Sequence, residues 1–425
     1  MRKRKKTKNK SIVILILIII FGIIVSICYP YIKHGKTKLD EEYTIKNINN
    51  HYNKFVKTNK ETNLYDKDNN IVGTVGKSVE LSLDNIDIND SIKYFKVSDF
   101  NGEYYIKYQD VDKIDNLTEI NDRYKNYIVF NENIVTNDKT SFYDDEDKLM
   151  YTFNKTYDLP IIIKDDNKYG VEFNNRLLYV KKEDVKEIKK SNNTEKKNSS
   201  GIAVLNYHAF YDEDNYEEAK NCNTSICHSK KQFKEQLDLI KEKGMLTLKM
   251  KEVEMYIDGK INLPKSVLIT IDDGGRTRIG IDMLTEYKMY ATIFLVTSWF
   301  EPSDYYKTEY IELHSHSDNL HKTGDCSVGQ GGGIQCLDEK TIQEDLKKSR
   351  EKLNNTTYFC YPFYEYNEYS IKMLKEAGFT MAFIGESNHS DNLVHVGSDK
   401  FRLRRFVIVT YTTIDDLNKY FNQIS

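Results

Sequence analysis

The stretch KSVLITIDDGG at residues 265–275 places two carboxylates and two glycines directly after an apolar run. A short apolar run that ends in turn residues indicates a buried strand. Neighbouring residues at a strand end point in different directions, so one of Asp272 and Asp273 can bind a metal ion while the other faces a substrate as a base. Taken alone, the same residues also fit a turn or a helix cap.

Strand and helix patterns alternate on both sides of this stretch. The segments GIAVLNYHAF, YATIFLVTS and TTYFCYPF indicate strands, whereas KKQFKEQLDLIKEKG, IGIDMLTEYKM and TIQEDLKKSREKL indicate helices. Regular alternation over residues 201–425 implies parallel strands with helices outside, and therefore an α/β fold. An open doubly wound sheet and a barrel both fit, and in either one the active residues lie at the carboxyl ends of strands.

Two further strand ends carry residues suited to chemistry. The segment ELHSHSDNLH (312–321) follows the strand-like YIEL and holds three of the nine histidines. Imidazoles this close together on a loop suit Zn²⁺ or a similar ion, with an Asp completing an open three-ligand site; a surface histidine cluster is the alternative. A third strand ends in an aromatic-Pro turn at 361–363, and FRLRRFV (401–407) follows later. An arginine between apolar neighbours on a strand is expected to pair inward with a carboxylate.

Five cysteines follow the N-terminal region, and their spacing bears on disulfides. Cys222 and Cys227 bracket one short polar loop, and Cys326 and Cys336 bracket another. Of the three possible pairings among these four, the local one is expected. Cys360, in an apolar strand, is predicted to be a buried free thiol. A zinc cluster is the functional alternative, although the chain contains no CxxC pair.

The N-terminus predicts a membrane anchor. Residues 1–10 (MRKRKKTKNK) hold seven Lys/Arg and no acid, and residues 11–32 carry no charge. Such a segment is long enough to span about 30 Å of hydrocarbon, with the basic tail on the cytoplasmic side. A cleaved signal peptide is the alternative, but its apolar region is usually about 7–15 residues long with a small-x-small site after it. We therefore expect a single-pass protein of the cell membrane whose catalytic domain is extracellular.

Composition excludes several classes of protein. The 425 residues carry a formal net charge of −3, from 62 Lys+Arg and 65 Asp+Glu, with 39% hydrophobic and 30% charged residues. These values exclude a polytopic membrane protein, a collagen-like fibre and a wholly disordered chain. Seven of the 62 basic residues lie in the first ten positions, so the remainder carries −10. An acidic exterior part argues against nucleic-acid binding.

The region between the anchor and the α/β part contains a weak internal duplication. LYDKDNNIVGTV (64–75) matches FYDDEDKLMYTF (142–153), and YIKYQDVDKI (105–114) matches YVKKEDVKEI (179–188). Short alternating runs between Asn/Asp/Gly turns indicate strands. We therefore expect a stalk (33–60), two small all-β modules (60–115 and 125–188) and a polar linker (189–200). The modules resemble the bacterial Src-homology-type barrels found beside cell-wall enzymes, and wall binding and a spacer role are both open.

Taken in order, the segments of the α/β part resemble the polysaccharide deacetylase family (carbohydrate esterase family four). The resemblance covers essentially all of residues 201–425 and rests on LNYH, TIDDGG, ATIFLV, ELHSHSDNLH, YFCYPF and RLRRF. The spacing from His316 to His321 looks closer to the poly-N-acetylglucosamine deacetylase branch. The resemblance implies a distorted (β/α)7-type barrel, preceded here by a transmembrane helix and the two all-β modules.

The same resemblance implies roles for individual residues. The divalent metal, expected to be Zn²⁺, would be bound by Asp273, His316 and His321. Asp272 would be the general base, oriented by Arg405. The sugar groove would be lined by the strand end Tyr361, Pro362 and Phe363.

This sequence departs from the family pattern at two points. The usual glycine after the Pro-aromatic pair is Tyr364, which would narrow the groove, and the usual Leu-x-His after the arginine segment is missing. The general acid is therefore unassigned. His208, at the end of the first strand, is a candidate, and a structural histidine satisfied by backbone is the alternative.

These observations predict a membrane-anchored extracellular enzyme that removes acetyl groups from N-acetylglucosamine residues of peptidoglycan. The expected partners are an N-acetylglucosamine-containing glycan and the membrane, with no nucleic acid. Three alternatives remain open: deacetylation of poly-N-acetylglucosamine, O-acetyl esterase activity, and a non-catalytic wall-binding protein.

Overall fold

The computed structural model describes residues 55–84, 94–97, 103–119, 122–305, 308–323, 326, 329–330, 332–385 and 392–425. The predicted cytoplasmic tail (1–10), transmembrane anchor (11–32) and most of the stalk (33–60) lie outside these residues. Within the described ranges, every helix is too short or too polar to cross a bilayer. The boundaries of the predicted modules and linker remain predictions.

The described part of the chain forms two compact units. The first contains the described residues of Met1–Ile120, with Asn137–Thr156 and Phe173–Tyr179. The second contains Asn121–Thr136, Tyr157–Glu172 and Val180–Ser425. The chain therefore passes between the units at five points along its sequence.

Short antiparallel strands dominate the chain before residue 200. They are β1 Phe55–Thr58, β2 Thr62–Tyr65, β3 Ile71–Val75, β4 Glu80–Ser82, β5 Tyr94–Val97, β6 Tyr104–Lys107, β7 Val111–Lys113, β8 Glu132–Thr136, β9 Thr140–Tyr143, β10 Leu149–Phe153, β11 Asp158–Pro160, β12 Ile163–Lys164, β13 Lys168–Phe173, β14 Arg176–Lys181 and β15 Val185–Lys190. In the first unit, β3 pairs with β2 and β10, and β10 pairs with β9. In the second, β8 pairs with β11 and β15.

The duplicated segments adopt the same local structure in the first unit. In the first copy the Asp66 carboxylate accepts the backbone N–H groups two and four residues later, at 2.9 and 2.8 Å. In the second copy Asp144 does the same at 3.1 and 2.8 Å. The copies meet where β3 pairs antiparallel with β10, and the equivalent residues Thr74 and Thr152 lie directly opposite each other. The two hairpins are thus related by a local twofold arrangement within one unit.

The second unit contains a parallel sheet with helices packed on it. The strands that follow residue 200 are β16 Ile202–Tyr207, β17 Ala209–Tyr211, β18 Cys227–Ser229, β19 Leu246–Thr247, β20 Ser266–Asp273, β21 Ala291–Leu295, β22 Ile311–Ser315, β23 Tyr358–Cys360, β24 Met381–Phe383 and β25 Phe406–Val407. The helices of this unit are α1 Tyr216–Lys220, α2 Lys230–Glu242, α3 Met250–Ile257, α4 Arg278–Tyr287, α5 Glu339–Lys352, α6 Glu368–Glu376 and α7 Ile414–Phe421. The main sheet has the order β24-β23-β22-β21-β20-β16-β25, with β19 beside β20.

All pairings along this sheet are parallel, so the predicted α/β class is confirmed. The sheet also curves toward closure, because a parallel bridge joins Phe383 of β24 to Leu403, just before β25. The strands are buried along their length: all eight residues of β20 except Asp273 are buried. Apolar residues of the sheet and of α2, α4 and α7 form the core beneath it, as expected for a parallel sheet covered by helices.

The earlier part of the second unit is attached to the α/β part by ion pairs as well as by packing. Arg123 donates two hydrogen bonds to the buried Glu252 carboxylate, at 2.7 and 2.5 Å, and Tyr127 donates a third at 2.9 Å. A β-bridge joins Ile128 to Asn262. These contacts make residues 122–136 part of the body that carries the site.

Candidate metal centre and active site

The predicted site residues meet at one edge of the parallel sheet. β20 ends at Asp273, β22 is followed by His316, and β23 ends at Cys360. Because β20, β21, β22 and β23 are neighbours with the same direction, their carboxyl ends lie side by side. The two carboxylates and the histidine loop are therefore brought together by the topology.

Asp273, His316 and His321 converge as potential metal ligands. The Asp273 Oδ1 atom lies 3.3 Å from His316 Nε2 and 3.2 Å from His321 Nε2. These three atoms lie within 4.8 Å of one another. Asp273 has a positive φ of 69°, a conformation that costs a non-glycine residue free energy and is concentrated at functional sites.

The hydrogen bonding of His316 leaves its second ring nitrogen facing Asp273. His316 Nδ1 lies 2.8 Å from the backbone oxygen of Cys360, which can only accept, so Nδ1 carries the proton. Nε2 then faces the Asp273 oxygen at 3.3 Å. A positive charge is needed between these two atoms, and either a proton on Nε2 or a bound cation supplies it. A carboxylate with two imidazoles, one held by a backbone carbonyl, is a donor set suited to a divalent ion such as Zn²⁺.

The ionisation of Asp273 agrees with a ligand role. Burial raises the pKa of its carboxyl, but hydrogen bonds with His316 and His321 and charge interactions with His316 and His208 lower it by more, and the net pKa is below the usual value. The group is therefore a carboxylate at neutral pH.

Asp272 is held by a different partner. The Arg405 guanidinium donates to both carboxylate oxygens, at 2.7 and 2.8 Å, and both side chains are buried, with 1% and 0% exposure. Arg405 also donates to the Ile384 carbonyl at 3.1 Å and to the Thr270 hydroxyl at 3.1 Å. Burial raises the pKa of Asp272, and the guanidinium more than offsets this, so the net pKa is lowered. Asp272 is a fixed carboxylate.

A second group of potential ligands, made by Asp272, His316 and the Cys360 thiol, is also close enough to hold an ion. An ion there would lie beside the Arg405 guanidinium, which already occupies both Asp272 oxygens and lies 3.0 Å from Cys360 Sγ. Burial raises the pKa of the Cys360 thiol, which keeps it protonated and a poor ligand. The Asp273 group is therefore the better metal site.

Comparison with known proteins agrees with this site. Residues 260–382 match the family model described as polysaccharide deacetylase. Residues 260–382 are therefore similar to the polysaccharide deacetylase domain. The matched segment contains both aspartates, both histidines and the aromatic-Pro turn, but not Arg405.

Individual relatives are distant. One relative is YxkH of Bacillus subtilis (strain 168), whose name describes it as a polysaccharide deacetylase. It is 24% identical over 193 residues, which is 44% of this chain and 64% of that protein. A de-N-acetylase from Aggregatibacter actinomycetemcomitans has 18% identity and a TM-score of 0.43 over 52% of this chain and 99% of that one. The Streptococcus pyogenes deacetylase PplD, solved in complex with acetate, has 20% identity and a TM-score of 0.43 over 52% of this chain and 98% of that one. The match to YxkH thus spans less than two thirds of its length.

The aromatic-Pro turn of the deacetylase domain splits its residues between groove and core. Phe363, with a φ of 56°, is partly exposed, and its ring centroid lies 4.4 Å from that of His321. Tyr361 is fully buried and packs against Phe359 and Tyr366. Pro362 is also buried. Of the three residues expected to line the groove, the structure places Phe363 beside the metal ligands.

The cysteines of the second unit form the local pairs expected from their spacing. The structure bonds Cys222 to Cys227 and Cys326 to Cys336, and Cys360 is a buried free thiol.

Beside Asp272, three residues of the second unit form a hydrogen-bonded group that the sequence did not reveal. The Tyr364 hydroxyl donates to Asn206 Oδ1 at 2.6 Å and lies 3.3 Å from His208 Nε2. Because the hydroxyl proton points to Asn206, the tyrosine oxygen is free to accept from His208 Nε2–H. Burial lowers the pKa of His208, against the raising effect of the Asp272 and Asp273 charges.

The loop that carries the two histidines is held from behind by α5. The two carboxylate oxygens of Asp345 accept hydrogen bonds from the backbone N–H groups of Asp318 and Asn319, at 2.8 and 2.7 Å. Asp318 is buried and binds Lys348 and Lys352 at 2.6 and 2.8 Å. Burial raises the pKa of Asp345 to about 6. These contacts fix the backbone between His316 and His321.

Replacing Asp345 by Ala should weaken zinc binding by about 10–100-fold, because outer partners that orient ligands contribute this much to metal affinity. Competition with a chromogenic chelator measures the change. The matched control is Glu344→Ala, one residue away on the same helix, whose side chain is 70% exposed. Equal zinc affinity in both variants would show that α5 does not position the ligands.

Proposed function

We propose that this chain is a membrane-anchored, extracellular, metal-dependent N-deacetylase acting on N-acetylglucosamine residues of peptidoglycan. One observation carries the chemistry: two adjacent aspartates have separate partners. Asp273 faces two imidazoles, and Asp272 is paired with a buried arginine. This is the division of labour that hydrolysis of an acetamide requires, with one carboxylate for a cation and one for a proton.

The proposed reaction uses residues of this chain for each proton transfer. A divalent ion bound by Asp273, His316 and His321 would supply Lewis acidity, polarising the acetamide carbonyl and making water more acidic. Asp272 accepts the proton of the attacking water, and Arg405 prevents the carboxylate from turning away. The C–N bond then breaks, and the nitrogen takes up a proton to leave as an amine while the acetyl group leaves as acetate.

The proton donor to the leaving nitrogen is assigned to His208. Its ring lies at the end of β16, beside β20, and interacts electrostatically with both Asp272 and Asp273. Its Nδ1 atom is buried without a hydrogen-bond partner among the described residues. To act as the acid, His208 must carry a proton on Nδ1 as well as on Nε2. That second proton is the one that Asp272 takes from the attacking water, and its transfer to the leaving nitrogen returns the imidazole to its neutral form. The Tyr364 hydroxyl holds the opposite nitrogen, and Asn206 in turn accepts the hydrogen bond that orients this hydroxyl.

Replacing Tyr364 by Phe should lower kcat by about 3–10-fold, the value of one hydrogen bond, because the ring of His208 loses its orienting partner. KM and zinc content should not change, and both are measured on the same preparation. Tyr366→Phe is the control, because this neighbouring tyrosine packs on Tyr361 instead. An unchanged kcat in Tyr364→Phe would remove the hydroxyl from the proton-transfer group.

Peptidoglycan is proposed as substrate because the repeated β segments resemble parts of wall-proximal proteins and the predicted anchor would hold the enzyme at the wall. The second candidate substrate is poly-N-acetylglucosamine, favoured by the spacing of His316 and His321. The membrane location rests on residues 11–32, whose apolar character is its support.

Acetate release from purified peptidoglycan and from poly-N-acetylglucosamine, with and without chelator, tests the proposal. We expect release from peptidoglycan that stops on chelation and returns with Zn²⁺. Release from poly-N-acetylglucosamine alone would identify that polymer as the substrate and leave the N-deacetylase activity standing. Release only from O-acetylated polymer would indicate an esterase. No bound metal and no acetate from any glycan would leave a non-catalytic wall-binding protein.

A further inference from the structure

The only tryptophan of the sequence lies beside the proposed metal ligands and is half exposed. Trp299 follows β21 at the same edge of the sheet as Asp273 and His316. Its side chain is 49% exposed, and its ring centroid lies 5.1 Å from that of His321. Phe363 contacts His321 as well, at 4.4 Å. His321 therefore contacts two aromatic rings, of which the indole is the more open to solvent.

The backbone that carries Trp299 is held on several sides. The Trp299 N–H donates to the Val296 carbonyl at 3.0 Å. The two preceding residues donate their N–H groups to the carbonyls of Ser317 and Asp318, at 3.2 and 3.0 Å, within the loop that carries the histidines. The indole is thus presented on a fixed support attached to the metal loop. A ligand that covers a pre-positioned ring pays little ordering entropy.

Burying the exposed half of an indole would be favourable, so its exposure at the site points to a ligand. A pyranose ring has a flat face of C–H groups and a rim of hydroxyl groups. The C–H face can pack on an indole while the hydroxyl groups remain hydrated. Trp299 also has only two side-chain torsions to fix, which keeps the cost of binding low.

We propose that Trp299 is a sugar-binding platform, on which one pyranose ring of the N-acetylglucosamine-containing substrate stacks next to the metal ligands. This rests on the proposed function and extends it. The enzyme should prefer oligosaccharides over the free monosaccharide. A single sugar can occupy either the metal site or the platform, whereas an oligosaccharide can occupy both at once. The preference would arise from an aromatic face, without any charged contact.

Fluorescence of the full chain in detergent tests the platform directly, because the indole signal comes from Trp299 alone. The probe is a β-1,4-linked N-acetylglucosamine tetramer, added to the zinc-loaded Asp272→Asn variant so that it is not consumed. We expect a saturable blue shift, since the indole leaves water, and a much weaker response to the monosaccharide. No spectral change at tetramer concentrations that saturate acetate release by the unmodified enzyme would overturn the platform and leave the proposed function standing.

Kinetics separate binding from structure. Trp299→Ala should raise KM for the tetramer by about tenfold with kcat within a factor of about two, and Trp299→Phe should recover part of the loss. Tyr216→Ala, which removes an aromatic side chain that is 73% exposed on α1, should change neither. If Trp299→Ala instead weakens zinc binding and leaves KM unchanged, the indole only shields His321 and the proposal is wrong. A spectral shift without acetate from any glycan would keep the platform and overturn the proposed function.

Discussion

Replacing Asp272 by Asn should lower kcat for acetate release by about 10²–10⁴-fold while zinc remains bound, because a general base contributes this much and Asp272 is not among the proposed ligands. The amide keeps the size of the carboxylate but cannot accept the proton of water. Acetate release and zinc content, measured on one preparation, check both halves. A rate equal to that of the unmodified enzyme would remove Asp272 from its role.

Stability must be followed in the same variant. Arg405 is fully buried, and among the residues that the structure describes the Asp272 carboxylate is its only counter-charge at hydrogen-bond distance. Removing one partner of a buried pair costs about 3–5 kcal/mol, and the Asn amide oxygen should recover part of this by accepting from the guanidinium. Urea unfolding gives the value. The double variant Asp272→Leu with Arg405→Met should be more stable than Arg405→Met alone and equally inactive, which separates folding from catalysis.

Replacing Asp273 by Asn should abolish stoichiometric zinc binding and, with it, acetate release. A neutral amide is a much weaker ligand than a carboxylate, and only two imidazoles would remain. Metal content after dialysis against a weak chelator, together with acetate release, checks the prediction.

The two neighbouring Asp→Asn variants control for each other. They make the same chemical change one residue apart, and zinc should persist in the first and disappear in the second. Full zinc content in Asp273→Asn would exclude this residue as a ligand. Loss of zinc from Asp272→Asn alone would favour the alternative group of Asp272, His316 and Cys360.

Much of the α/β unit follows from local sequence. The apolar run before Asp272 predicts β20, and the spacing of Phe233, Leu237 and Ile240 predicts α2, because each pattern is repeated within one element. The convergence of Asp273 with the two histidines could also be anticipated, since parallel strands put their carboxyl ends together.

Other parts of the site depend on contacts between distant residues, which local patterns do not contain. The aromatic side chain of Tyr361 would suit a sugar groove equally well. Its burial in the core depends on packing against Phe359 and Tyr366, which the local sequence does not show. Asp345 looks like any helix-surface acid until the histidine loop lies on it. Trp299 could have been noticed, because it is the sole tryptophan and follows the strand ATIFLV at an active edge.

The duplication near the N-terminus was visible as repeated letters, but its arrangement was not. The repeated Asp-led turns are encoded locally, and Asp66 and Asp144 form them in the same way. The pairing of β3 with β10 joins residues about 80 positions apart in the sequence, and it arises from sheet assembly.

The five passages of the chain between the two compact units have a consequence for how such a protein can be inherited. When units follow one another along a sequence, a single recombination event can exchange one for a foreign unit. Here residues 137–156 and 173–179 of the first unit are inserted between segments of the second. A crossover at any one junction would therefore divide at least one unit. A single recombination event at a junction thus cannot exchange one unit and leave the other intact.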